Sequence, residues 1–116
     1  KNILNFLTKK KFDLISLIGV MQNSGYHYQK LLKKIKKIMN NNSYIYITSK
    51  NLLYKKLNKK YLQKSNHQWF NPFEIKEFLS KNKIKTLTIG GFNSTANRIV
   101  NLKNSSTFFI YGKNIK

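Results

Sequence analysis

The chain alternates between two rhythms of apolar and polar positions. Leu14-Ile-Ser-Leu-Ile-Gly-Val-Met21 is a continuous apolar run, the pattern of a strand buried on both faces of a sheet, and it predicts a central strand. Ahead of it, Asn2 to Lys11 predicts a short helix, with Ile3, Leu4, Phe6 and Leu7 leading into Lys9-Lys10-Lys11. Asn23-Ser24-Gly25 reads as a turn. From Tyr26 to Met39 the apolar residues Tyr28, Leu31, Leu32, Ile35, Ile38 and Met39 recur at helical spacing, with Lys30, Lys33, Lys34, Lys36 and Lys37 between them. That is an amphipathic helix with one face for a sheet and one for something anionic.

Asn40-Asn-Asn-Ser43 breaks the helical pattern, and Tyr44-Ile-Tyr-Ile-Thr48, β-branched and aromatic, predicts a second strand. Ser49-Lys50-Asn51 then opens a helix carrying Leu52, Leu53, Leu57 and Tyr61, with Lys55, Lys56, Lys59 and Lys60 exposed. Gln63 to Phe70 reads as a polar loop. Asn71-Pro72-Phe73-Glu74 has the chemistry of a helix start, with Asn as cap, Pro in the first turn and Glu three residues after the cap. The helix is expected to run to about Ser80. Ile84 to Ile89 predicts a strand, Gly90-Gly91 a turn, Ser94 to Leu102 a short helix, and Thr107 to Tyr111 a closing strand. Strands alternating with helices predict an α/β layer sandwich, a single domain over residues 1–116 with no internal repeat and no linker of distinct composition.

Composition adds a partner to this picture. With 41% hydrophobic and 14% aromatic residues a core can be built, which argues against a disordered basic tail. The 23 Lys+Arg face only Asp13, Glu74 and Glu77, for a formal net charge of +20. Such a domain repels itself and presupposes a neutralising partner, typically a phosphate backbone bound with release of counterions. Solvation alone would bring interspersed acids with the lysines. Arg98 is the sole arginine, and the heavy use of Lys, Asn, Ile, Phe and Tyr resembles coding in an A+T-rich genome. The chain has no cysteine, hence no disulfide and no thiolate chemistry. It also has no apolar run of membrane-spanning length, so no membrane partner is expected, and no targeting presequence is recognisable.

Catalytic chemistry is thinly provided. His27 and His67 lie far apart, with no acid within a few residues of either, and a His-based nucleophile system wants an orienting carboxylate. Glu74 and Glu77 suit a helix start, and clustered acids for metal-assisted phosphoryl chemistry are lacking. The expectation is therefore no enzyme, no catalytic residue, no metal and no cofactor. Gly90-Gly91 followed by Asn93-Ser94-Thr95 could cradle a phosphate, but a tight turn explains it as well. Exposed Tyr26, His27, Trp69 and Phe70 could stack on bases, although large aromatics are mostly buried. Where the second strand runs into the next helix, Lys50 and Asn51 are placed to contact phosphate and sugar together. The candidate RNA-binding residues are Lys9, Lys10, Lys11, Lys33, Lys34, Lys36, Lys37, Lys50, Asn51, Lys55, Lys56, Lys59 and Lys60.

From Leu14 to Leu57 the order of elements resembles the N-terminal domain of the ribosomal large-subunit stalk-base protein, the L-ten/P-zero family. Leu32-Lys33-Lys34 is similar to that family's helix pattern, and Ser49-Lys50-Asn51-Leu52-Leu53 to its basic-Asn-Thr-Leu motif, with Leu52 where Thr is expected. Leu102 to Tyr111 is similar to its third strand, without the leading Gly-Pro. A rival resemblance is to the small-subunit S-two family, whose Asn-His-Arg-Trp-Leu-Gly-Gly signature is approached by Asn66-His67-Gln68-Trp69 and Ile89-Gly90-Gly91-Phe92 in separate pieces. Either resemblance implies a structural ribosomal protein that binds ribosomal RNA beside neighbouring ribosomal proteins, with no small-molecule substrate. The coding bias places it in a mitochondrion, or alternatively a plastid. The alternative of another class is a nucleic-acid-processing enzyme or accessory factor, with His27 or His67 as base.

Overall fold

The computed structural model describes residues 10–23, 27–54, 68–93 and 99–115. Its elements are β1 (Phe12–Ile18), α1 (Val20–Asn23), α2 (Tyr28–Lys37), β2 (Met39–Lys50), α3 (Pro72–Lys81), β3 (Ile84–Phe92), β4 (Ile99–Val100), a 3-10 turn (Leu102–Asn104) and β5 (Thr107–Asn114). The α/β layer architecture expected from the alternation of elements is present.

The sheet has the order β1-β2-β5-β3-β4. β1 and β2 are parallel, joined through α2, and the remaining pairings are antiparallel. Period-2 alternation sends Leu17, Ile45, Ile47, Phe108 and Ile110 to one face. There they form a single buried cluster with Leu31, Leu32 and Ile35 of α2 and with Ile75, Phe78 and Leu79 of α3. Each such side chain, fully buried, stabilises by about 1.5–3 kcal/mol against an exposed reference. The α2 residues are those the helical spacing picks out.

The start of α3 matches its sequence chemistry. Asn71 accepts a hydrogen bond from the Phe73 amide at 3.0 Å, and Pro72 occupies the first helical position. At the other end Lys83 turns the chain with φ of 63°, a left-handed conformation that usually falls to glycine.

Other expectations are corrected. Among the described residues the apolar run Leu14–Met21 is not a central strand: its strand ends at Ile18, lies at one margin of the described sheet, and leaves Leu14 60% and Ile18 68% exposed. Asn40–Ser43 does not separate helix from strand, because β2 starts at Met39. The register jumps from Phe12↔Met39 to Leu14↔Tyr44, a bulge with Asn42 at φ of 61°. Ser49-Lys50-Asn51 does not open a helix: β2 runs on to Lys50 and Asn51 bridges to Phe70. Gly90-Gly91 is not a turn but lies inside β3, opposite Phe109 and Phe108 of β5. A Cβ on Gly91 would stand 2.2 Å from Ser105 Oγ, so close approach is what needs glycine there. In place of the helix expected over Ser94 to Leu102, the described part holds β4 and the 3-10 turn. Residues 2–9 of the helix predicted over Asn2–Lys11, residues 24–25 of the turn predicted at Asn23–Gly25, and residues 55–61 of the lysine-bearing helix lie outside the described residues.

Candidate functional site

In open α/β sheets, ligands bind in the crevice beyond the carboxyl ends of the parallel strands. Here that end is formed by Gly19 after β1, Lys50 at the end of β2 and Asn51 after it, and the segment Asn101–Ser106 that leads into β5. Gly19, with φ of 68°, donates its amide to the Thr48 carbonyl and to Thr48 Oγ1, both at 3.2 Å. The turn leaving β1 is thereby tied to β2.

Asn51 organises this end from within. It is fully buried; its Nδ2 donates to the carbonyls of Leu102 at 2.7 Å and Ser105 at 2.9 Å, and its Oδ1 accepts from the Leu53 amide at 3.0 Å. Asn93 closes the other side, donating to the Asn104 carbonyl at 2.9 Å and accepting from the Ser106 amide at 2.8 Å. Asn51 as an RNA contact is thus corrected: its polar atoms are directed at the chain's own backbone. Sequence reasoning read an Asn after a strand as outward-facing and missed that a buried side-chain amide is held by such bonds.

The neighbouring candidates separate. Lys50 is half-buried with its Nζ 5.7 Å from the Trp69 ring centroid, a cation–π contact worth about 0.5–1 kcal/mol. Phe70 exchanges backbone hydrogen bonds with Lys50 and Leu52, and Tyr28 meets Phe70 and Phe78 edge-on at 5.8 and 5.6 Å. Of the lysines on α2, Lys33 and Lys37 are exposed, Lys34 is half-buried, and Lys36 donates to Asn114 Oδ1. Lys10 and Lys11 are exposed ahead of β1, at the opposite end of the sheet. Lys9, Lys55, Lys56, Lys59, Lys60, Tyr26 and His67 lie outside the described residues. His27 is exposed and stacks on Tyr28 at 5.4 Å.

No family model matches the chain, and no curated protein matches it by sequence. Solved structures do match its shape. The N-methyltransferase NodS of Bradyrhizobium japonicum, in complex with S-adenosyl-L-homocysteine, superposes over 100% of this chain and 53% of its own, with a TM-score of 0.70 at 13% identity. A possible histamine N-methyltransferase of Thermotoga maritima gives a TM-score of 0.75 at 13% identity, over 97% of this chain and 60% of its own. The magnesium protoporphyrin IX methyltransferase of Synechocystis, with bound S-adenosyl-L-homocysteine, gives 0.68 at 10% identity, over 98% and 49%. The fold is that of the Rossmann-like S-adenosylmethionine-dependent methyltransferases.

The methyltransferase fold overturns the ribosomal reading. The stalk-base and S-two resemblances rested on short motifs, one of which, Ser49–Leu53, begins inside β2 in the structure, and the structural neighbours are methyltransferases rather than ribosomal proteins. The expectations of a non-enzymatic ribosomal constituent, of ribosomal RNA and ribosomal proteins as partners, and of no small-molecule substrate are corrected with it. The chain spans about half to three fifths of the length of these neighbours.

Whether these residues suit an adenosine cofactor can be judged from the turns at the site. Nucleoside-binding crevices of doubly wound sheets use a glycine-rich turn after the first strand and a carboxylate on the ribose. The segments leaving β1 and β2, 19–27 and 51–71, contain no Asp or Glu, and the first has only Gly19 and Gly25, spaced six apart. Asp13 stands at the amino end of β1, bound to Asn40 Nδ2 at 2.7 Å. Glu74 and Glu77 are exposed on α3, Glu77 3.7 Å from Lys81. The residues of this chain do not by themselves fit the cofactor.

Proposed function

We propose that this chain is a working part of an S-adenosylmethionine-dependent methyltransferase that modifies nucleic acid. The observation that carries the reading is the extent of the structural match: nearly every residue superposes on methyltransferases that share only 9–13% identity with the chain and differ in substrate. S-adenosylmethionine supplies an activated methyl group in such enzymes. The acceptor class follows from charge. A chain at +20 with three carboxylates concentrates polyanions around itself, and Lys50 and the exposed Lys103 stand at the carboxyl end of the parallel strands. The sulfonium cofactor is itself cationic at its reacting centre, so the lysines are better matched to the acceptor than to the donor.

The test is methyl transfer by the protein purified from its own source, using S-adenosylmethionine labelled in the methyl group and offered nucleic acid, protein and small amines in parallel. Label that becomes acid-insoluble and nuclease-sensitive is the expected result. Label in protein or amines alone would refute the acceptor class, and no S-adenosylmethionine-dependent transfer to any of them would refute the activity.

A further inference from the structure

We propose that the sheet face turned away from α2 and α3 binds single-stranded nucleic acid, with bases stacking on the Tyr44–Tyr111 pair and a backbone phosphate between Lys113 and Lys85. This deepens the nucleic-acid reading above and rests on it only for calling the strand the acceptor; the binding stands on the face itself.

Alternation along the strands gives the sheet two unlike faces. One carries Leu17, Ile45, Ile47, Phe108 and Ile110 and is covered by α2 and α3. The other follows from the register as two cross-strand rows. The first runs Leu14–Tyr44–Lys113–Lys85 over β1, β2, β5 and β3, and the second Ser16–Tyr46–Tyr111–Thr88. Among the described residues no helix packs on these rows. Leu14 is 60% exposed, Lys85 is exposed, and Tyr44, Tyr46, Tyr111 and Lys113 are half-buried.

The rings on this face form a stacking platform. Tyr44 and Tyr111 lie diagonally across the two rows, their centroids 5.5 Å apart and their planes within 1° of parallel. Lys113 Nζ sits 5.8 Å from the Tyr44 centroid, and beside this pair Tyr46 and Phe109 stack at 6.2 Å. An unpaired base extends such a stack whatever its identity, since every base offers a π face. Bases inside a duplex already have both faces covered by their neighbours, so the platform selects single strands.

Charge points to the same occupant. Lys113 and Lys85 stand directly opposite each other on β5 and β3, and like charges so placed destabilise a sheet. None of the three carboxylates lies on this face. Asp13 precedes Leu14 and so faces the other way, bound to Asn40, while Glu74 and Glu77 are on α3. A phosphate between the two ammonium groups turns their repulsion into attraction. An apolar helix laid over the rows would bury both lysines without an anionic partner, and a second copy of this chain would set lysines against lysines.

The experiment uses the whole protein as purified from its source, together with variants of it. The probes are a fluorescent single-stranded oligonucleotide of about ten nucleotides, an abasic strand of the same length and the corresponding duplex. Affinity is measured at several salt concentrations, and tyrosine nitration is located by peptide mass spectrometry. The oligonucleotide should bind at least about tenfold more tightly than the abasic strand. Tyr44→Leu/Tyr111→Leu should abolish that difference while leaving the abasic strand and the duplex unaffected. Lys85→Gln/Lys113→Gln should weaken both single strands and lower the slope of log affinity against log salt by about 0.7, one phosphate contact. Tyr44 and Tyr111 should be nitrated in the free protein and protected by the oligonucleotide. Should the tyrosine variant fail to fold, the lysine variant and the protection pattern decide alone. Tyrosines that resist nitration in the nucleic-acid-free protein would show that a protein segment covers the face, and would overturn the proposal. Equal affinity for the normal and abasic strands, or affinities that neither variant moves, would overturn it too. Methyl transfer to nucleic acid that survives both variants unchanged would sink this face and leave the methyltransferase reading. Binding here without any methyl transfer would do the reverse.

Discussion

Asn51 Nδ2 reaches the carbonyl of Ser105 at 2.9 Å across 54 positions of sequence, and this bond, with its companion to Leu102, fixes the entry to β5 against the exit of β2. Replacing Asn51 by Ala strips partners from two carbonyls and the Leu53 amide in a buried place. The expected loss of stability is on the order of 3 kcal/mol, read as a lower urea midpoint with an unchanged slope.

Ser49 gives the opposite expectation two residues earlier. Its hydroxyl is buried and, among the described residues, has no hydrogen-bond partner, so Ser49→Ala removes an unsatisfied group. Stability should stay level or rise by up to about 1 kcal/mol. A clear loss in the same urea titration would show that the hydroxyl is engaged by something the chain alone does not contain.

Gly91→Ala places a methyl 2.2 Å from Ser105 Oγ and 2.4 Å from its Cβ. The segment that Asn51 and Asn93 clamp must then shift, at a cost of about 1–3 kcal/mol. Thermal unfolding should show the drop, and the double variant with Ser105→Gly should recover part of it by removing the clashing atoms.

Lys83 holds φ of 63°, where a side chain costs about 1 kcal/mol more than glycine. Lys83→Gly is expected to raise the melting temperature by a few degrees. An unchanged or lower value would mean that the Lys83 side chain contributes contacts that offset its backbone strain.

Nucleic-acid affinity should fall steeply with salt, by about a thousandfold between roughly 50 and 200 mM for six or more phosphate contacts. Lys50→Gln should reduce the slope of log affinity against log salt by about one contact. Titrating a fluorescent single-stranded oligonucleotide at several salt concentrations measures both.

The legible parts of the fold were those governed by local rules. The Asn71-Pro72-Glu74 cap and the Leu31, Leu32, Ile35 stripe are decided within a turn or two of helix, and the structure has them where the pattern puts them. Gly90-Gly91 misleads because a glycine pair serves a turn or a close approach equally well, and Ser105, which decides between them, is remote in sequence. Asn51 misleads for the same reason, since its partners Leu102 and Ser105 arrive only through tertiary structure. In β1 the pattern is faithful to a strand with two neighbours, while the described sheet supplies one. The ribosomal reading failed differently. Short lysine-leucine motifs are common in a lysine-rich chain, and they say little about the path of the backbone.

The place of β5 bears on how the chain acquires its structure. β2 and β3 do not touch as strands; each pairs with β5, which enters between them and is the last of the described strands. During synthesis, at about 5–20 residues per second, the earlier strands emerge without the element that joins them. Their pairings are non-local and carry the loop-closure penalty that slows β-rich folding. The nascent chain therefore passes through a period with several unsatisfied strand margins, and the insertion of Phe108 and Ile110 ends that vulnerable interval.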